Sequence, residues 1–126
     1  MAPLPIAFDA PDLAARIEKL TTAERDALPF GVVELDREGR VLFYSATQAR
    51  LARYAVPKGA IFFAASRSPN RGELEARVRR AMETGPVDID FAWIGGLSKR
   101  ELQIRVMSSI RGGVWLFVAA DDGKPA

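Results

Sequence analysis

Hydrophobic and polar positions change their rhythm several times along this chain. From Leu13 the apolar residues fall at Leu13, Ile17 and Leu20, the spacing of one helix face, with Asp9 or Asp12 placed to cap it. Thr21-Thr22-Ala23-Glu24 has the form of a capping box, which predicts a second short helix running to about Leu28 and ended by Pro29. The rhythm then shortens. Gly31–Leu35 and Val41–Tyr44 read as the two strands of a hairpin, joined by Asp36-Arg37-Glu38-Gly39 with Gly39 supplying a positive φ. Ala46 to about Ala55 predicts a short helix broken by Pro57 and Gly59, and Ile61-Phe62-Phe63 is an apolar run too short to assign. Residues 66–72 read as a loop.

Glu73–Glu83 carries the best helical stripe, Leu74, Val78, Ala81 and Met82, closed by Gly85 and Pro86. Period two then returns. Val87, Ile89, Phe91 and Trp93 alternate with Asp88, Asp90 and Ala92; Leu102, Ile104 and Val106 alternate with Glu101, Gln103 and Arg105. Val114–Ala119 is almost wholly apolar, as a central strand buried on both faces would be. The expected fold class is α+β: five mostly antiparallel strands with short helices on one face. The other face needs a cover, and the N-terminal helices are the candidates. The expected organisation is a helical cap over residues 1–28, the domain proper over 29–120 and a loose polar tail over 121–126.

Composition narrows the chemistry. Among 126 residues there is no cysteine and no histidine. Disulfides, thiolate metal sites, cysteine nucleophiles, histidine bases and histidine-ligated haem are thereby excluded. No nucleophile–base pair is left, and an enzyme is not expected. The net charge of +2 gives little long-range attraction for nucleic acid. No apolar run approaches a membrane span and no signal peptide is evident, so the expected location is cytoplasmic, without membrane association.

Tyr44 and Gln48, at a strand end and on the following helix, can point into one place. With Phe62, Phe63 and Phe91 they would make an apolar pocket with a polar end that orients a small ligand. Equally, the pair can satisfy each other within a filled core, and aromatics on alternating strands commonly mean core or interface. The arginines Arg71, Arg77, Arg79 and Arg80, with Arg50 and Arg53, read as solvated helix faces. Asp88 and Asp90 read as the solvent face of a strand.

Several of these segments look familiar together: Leu28-Pro29-Phe30-Gly31-Val32-Val33-Glu34-Leu35-Asp36, Gly39-Arg40-Val41-Leu42, Tyr44-Ser45-Ala46, the Phe62-Phe63 pair, Glu83-Thr84-Gly85, and Trp115 with Phe117-Val118. From about Leu13 to Val118 the chain resembles a PAS domain and, more narrowly, the photoactive yellow protein family. The resemblance implies a PAS fold with an N-terminal cap and a sensory, signal-transducing role through protein contacts, with a protein partner or a homodimer. That family carries a p-coumaroyl chromophore on a cysteine shortly after the Phe-Phe pair, where this chain has Ser68 or a close neighbour. Its phenolate-binding tyrosine corresponds to Tyr44 and its buried glutamic acid to Gln48. No covalent cofactor is therefore expected. A small non-covalent ligand held by Tyr44, Gln48, Phe62, Phe63, Ser68 and Phe91 is the expected occupant. The alternative is a degenerate module with a filled core that acts only in dimerisation or docking.

Overall fold

A computed structural model describes residues 6–65, 71–94 and 101–120. The element order is α1 (Leu13–Glu18), α2 (Thr22–Asp26), β1 (Gly31–Leu35), β2 (Val41–Tyr44), α3 (Ala46–Ala52), α4 (Phe62–Ala65), α5 (Arg71–Glu83), β3 (Asp88–Ile94), β4 (Glu101–Ser108) and β5 (Val114–Ala120). The strands form one antiparallel sheet in the order β2-β1-β5-β4-β3. This is the α+β architecture expected from the sequence.

Local chemistry accounts for the boundaries. The Thr21 capping box forms in both directions, with Glu24 N–H donating to Thr21 Oγ1 and Thr21 N–H donating to Glu24 Oε1. In the hairpin turn, Asp36 Oδ1 accepts from the N–H groups of Glu38 and Arg40, and Gly39 adopts φ +87°. Two boundaries depart from expectation. Helix α3 ends at Ala52 because Arg53 takes a left-handed conformation (φ 68°), well before Pro57. Arg71 and Gly72, read as loop, are the first turn of α5. The unassigned Phe62-Phe63 opens the short helix α4, while Ile61 bridges to Arg40.

The two central strands need cover on both sides. All five residues of β1 are buried, as are Val114–Val118 of β5. One face carries Val33, Leu35, Ile104, Val106, Leu116 and Val118 against Phe62, Phe63, Leu74 and Val78 from α4 and α5. The opposite face carries Val32, Met107, Trp115 and Phe117 against Ile6, Leu13, Ala14, Ile17 and Leu20 of the N-terminal cap. Each layer removes several large side chains from water, at roughly 1.5–3 kcal/mol apiece.

Polar contacts fasten the cap around this apolar seam. Glu18 Oε2 accepts from Trp115 Nε1 and from the Ile110 N–H, both at 2.9 Å. The Arg25 guanidinium lies 5.0 Å from the Trp115 ring and 5.3 Å from the Phe43 ring, and donates to the Ile17 carbonyl. Arg105 breaks the alternation of β4, being a polar position that is buried. Its side chain is only 7% exposed; it grips Asp88 with two hydrogen bonds and donates to the carbonyls of Phe8 and Ala10. Asp88, read as merely solvated, is thus the partner that orients this fastener. The arginine beside Asp88 holds its carboxyl below the usual carboxylate range.

Substitution tests both the packing and the fastener. Gly113 sits so close to β1 that an added Cβ would lie 1.8 Å from the Leu35 carbonyl oxygen, whereas nothing lies within 4 Å of a Cβ at Gly72. Gly113→Ala should lower stability in urea titration by about 3 kcal/mol. Gly72→Ala, in the first turn of α5, should raise it by up to about 1 kcal/mol. Arg105→Leu strands two carbonyls and a carboxylate, and should cost roughly 2 kcal/mol. Amide exchange should then quicken at Ala10 and Leu13 while β1 and β5 stay protected. Because the folded-state pKa of Asp88 is depressed, its contribution is complete above the unfolded value near 4 and fades as the pH falls through the folded value. Asp88→Asn should therefore flatten the acid limb of the stability profile.

Candidate functional site

An irregularity in the hairpin determines where Tyr44 points. Strict alternation along Val41-Leu42-Phe43-Tyr44 would put Val41 and Phe43 on one face and Leu42 and Tyr44 on the other. The register instead runs Glu34↔Phe43 and then Leu35↔Val41, so Leu42 is an extra residue, a β-bulge. The phase flips across it. Val41 packs into the helix-side core, Phe43 turns to the cap, and Tyr44 returns to the helix side.

Helix α3 then brings Gln48 beside Tyr44. Ser45 caps the helix, accepting from the Gln48 N–H and, across to β1, from the Val32 N–H. Thr47 donates to the Leu28 carbonyl at 2.7 Å, tying the helix to the segment before β1. Gln48 lies over Gly31, and the room for it exists only because Gly31 has no side chain: a Cβ there would sit 2.0 Å from Gln48 Oε1.

Hydrogen bonding fixes the order of groups. Tyr44 donates its one hydroxyl proton to the Tyr54 carbonyl at 3.0 Å. A carbonyl can only accept, so the hydroxyl oxygen is left as an acceptor, and Gln48 stands where its amide favours the ionised form. Gln48 therefore presents its amide nitrogen to Tyr44 and its oxygen toward Gly31. That oxygen is buried and has no hydrogen-bond partner among the described residues. Burial, and then the neighbouring Tyr54, push the Tyr44 hydroxyl well above the usual tyrosine range, with the Gln48 hydrogen bond acting the other way.

The sequence-predicted residues divide into three groups. Tyr44 and Gln48 are brought together. Phe62 and Phe63 pack edge to face in the core cluster that Tyr44, Tyr54 and Phe91 also border. Phe91 borders that cluster farther along the sheet, edge to face with Trp93 and under the Arg77 guanidinium at 4.7 Å. Ser68 lies outside the described residues. The missed member is Tyr54: its contribution is a backbone carbonyl, which no side-chain pattern marks. An open groove of about 560 Å³ is lined by Tyr44 with Ala49, Ala55, Val56 and Lys58, among others, but not by Gln48, Phe62, Phe63 or Phe91. No group of three or more carboxylates able to hold a metal occurs among the described residues.

The arginine-rich helix α5 has the bland character expected for its described side chains, with Arg77 and Arg79 paired to Glu73 and Glu75 one turn away. The Tyr44 environment is open to titration. Followed by phenolate absorbance, Tyr44 should ionise above pH 10, and Gln48→Leu should move it higher still, because the substitution removes the donor that favours the phenolate. As the unfolded chain releases this proton near pH 10 while the folded one retains it, stability should fall as the pH rises past 10.

No protein-family model matches the chain, and no curated protein matches it. Solved structures do. The photoactive yellow protein domain from the sensor histidine kinase Ppr of Rhodospirillum centenum is 27% identical, with a TM-score of 0.68 over 82% of this chain and 96% of that one. The PAS domain of an HTR-like protein from Haloarcula marismortui shares the fold at 10% identity, with a TM-score of 0.50 over 85% and 94%. The five-stranded sheet with its helical cover and the likeness to both structures lead to one assignment: this chain has the PAS fold and is similar to a photoactive yellow protein domain, and its sequence has no cysteine on which a chromophore could be carried.

Proposed function

We propose that this PAS domain is a sensory module that holds a small molecule non-covalently beside Tyr44 and Gln48 and passes the change on by protein contact. The observation that carries the reading is Gln48 Oε1, buried and without a partner among the described residues. A buried carbonyl with no donor costs about 1–3 kcal/mol. A turn of the Gln48 side chain exchanges that loss for a hydrogen bond to a bound donor, next to a groove that Tyr44 already lines. The apolar part of such a site is supplied by Ala49, Ala55 and Val56 in the groove, while Phe62 and Phe63 stand in the core that Tyr44 borders. Tyr44, held neutral by its surroundings, contributes position rather than charge. The similarity to a domain of a sensor histidine kinase supports the signalling role. A change at Gln48 has a direct route to the cap, since α3 is bonded to Asp26 through the Ala46 N–H and Thr47.

Native mass spectrometry on gently purified protein is the first test. The expected result is a mass excess that disappears on denaturation. The double variant Tyr44→Phe, Gln48→Leu should bind that molecule at least about tenfold more weakly. A bare polypeptide mass, or an affinity untouched by the double variant, would overturn the site and leave a docking module with a filled core.

A further inference from the structure

The two edges of the sheet are not equivalent. At β2 the outward backbone groups of Val41 are already taken, by the Ala60 carbonyl and the Gly59 N–H. At β3 the outward groups are free among the described residues. Their identity follows from register: Asp88 faces Met107, and the Ser108 N–H donates to the Val87 carbonyl, so Asp88↔Met107 is a non-hydrogen-bonded pair. Ile89, Phe91 and Trp93 consequently bond inward to β4. Asp88, Asp90, Ala92 and Ile94 turn their N–H and C=O groups outward. A seven-residue strand with one open edge, with Ile89 40% exposed on it, is a template for another strand.

We propose that this edge pairs with the same edge of a second copy of the chain, antiparallel, about a two-fold axis at Phe91. Charge selects the register. Centring on Asp90 would set two aspartates directly opposite each other, which is unfavourable. Centring on Phe91 places Asp90 against the partner's Ala92 and Asp88 against the partner's Ile94, so no carboxylate opposes another. Every outward N–H and C=O from Asp88 to Ile94 then has a partner, and Ile89 comes to lie across from the partner's Trp93. The interface is isologous and closes on itself, giving a ten-stranded sheet rather than a fibre. The aspartates act as register keys: they disfavour in-register stacking and leave this pairing open. The inference stands whether or not Tyr44 and Gln48 hold a ligand.

Sedimentation velocity on the 126-residue chain over a concentration series gives the dimer dissociation constant. Ala92 is exposed and its N–H points outward, so substitutions there leave the β3–β4 ladder intact. Ala92→Asp should weaken the dimer and Ala92→Lys tighten it, each by roughly three- to thirtyfold, because the two-fold axis counts every change twice. Ala92→Pro should leave a folded monomer. With no cysteine in the native chain, Phe91→Cys should cross-link on oxidation, since opposed residues of a non-hydrogen-bonded pair lie within disulfide reach, while Ile89→Cys should not. A chain that stays monomeric to millimolar concentration overturns the proposal, as it would if the edge serves a strand of some other protein. A dimer indifferent to all of the Ala92 substitutions overturns it too.

Discussion

Everything in this domain follows from the pairing of β1 with β5. These two strands sit in the middle of the sheet, and neither face of either can meet water. Val33, Leu35, Leu116 and Val118 require the helix layer, while Val32, Trp115 and Phe117 require the cap. Gly113 shows how close the packing becomes where β5 begins: a methyl group there would run into the Leu35 carbonyl. A sheet so placed cannot shed its N-terminal segment without exposing a stacked Trp115 and Phe117.

The cap-facing side also explains the polar groups that lie beneath it. Glu34, 1% exposed on a central strand, would be intolerable alone. It accepts from Ser109 Oγ at 2.7 Å and from Arg111 through two nitrogens, so that the β4–β5 turn closes over it. Glu18 and Arg105 do the same work from opposite ends of the cap. The cover is thus an apolar seam with charged clasps, of which Glu18 and Arg105 also engage backbone N–H or carbonyl groups across the seam. Such contacts specify where the cap sits as much as how firmly.

Much of this was legible in the sequence, because periodicity reports burial directly. Three alternating or apolar strands at the C-terminal end, the hairpin turn at Asp36–Gly39 and the Thr21 capping box are all local signals, and each became the expected element. What was not legible is pairwise and long-range. Arg105 alternates with Ile104 and Val106 as a solvated residue would; only a segment some 95 residues away in sequence makes it a buried one. The left-handed turn at Arg53 carries no glycine to announce it. The bulge at Leu42 is silent in a run of four apolar or aromatic residues, yet it decides which face Tyr44 joins.

The candidate site was legible as a pair and illegible as a circuit. The spacing of Tyr44 and Gln48 across a strand end and the first turn of a helix suffices to bring them together. The direction of the hydrogen bonds does not come from that spacing. It comes from the Tyr54 carbonyl, which takes the only proton Tyr44 has and so obliges Gln48 to turn its nitrogen inward and its oxygen onto Gly31. A glutamic acid at the same position could have met the tyrosine as either donor or acceptor by changing its protonation. An amide has one of each and cannot exchange them. The substitution thus converts a group that can pass a proton into one that can only point, and it leaves one acceptor over. That surplus acceptor is a local conflict in an otherwise consistent core, and conflicts of this kind collect where a protein does something besides fold.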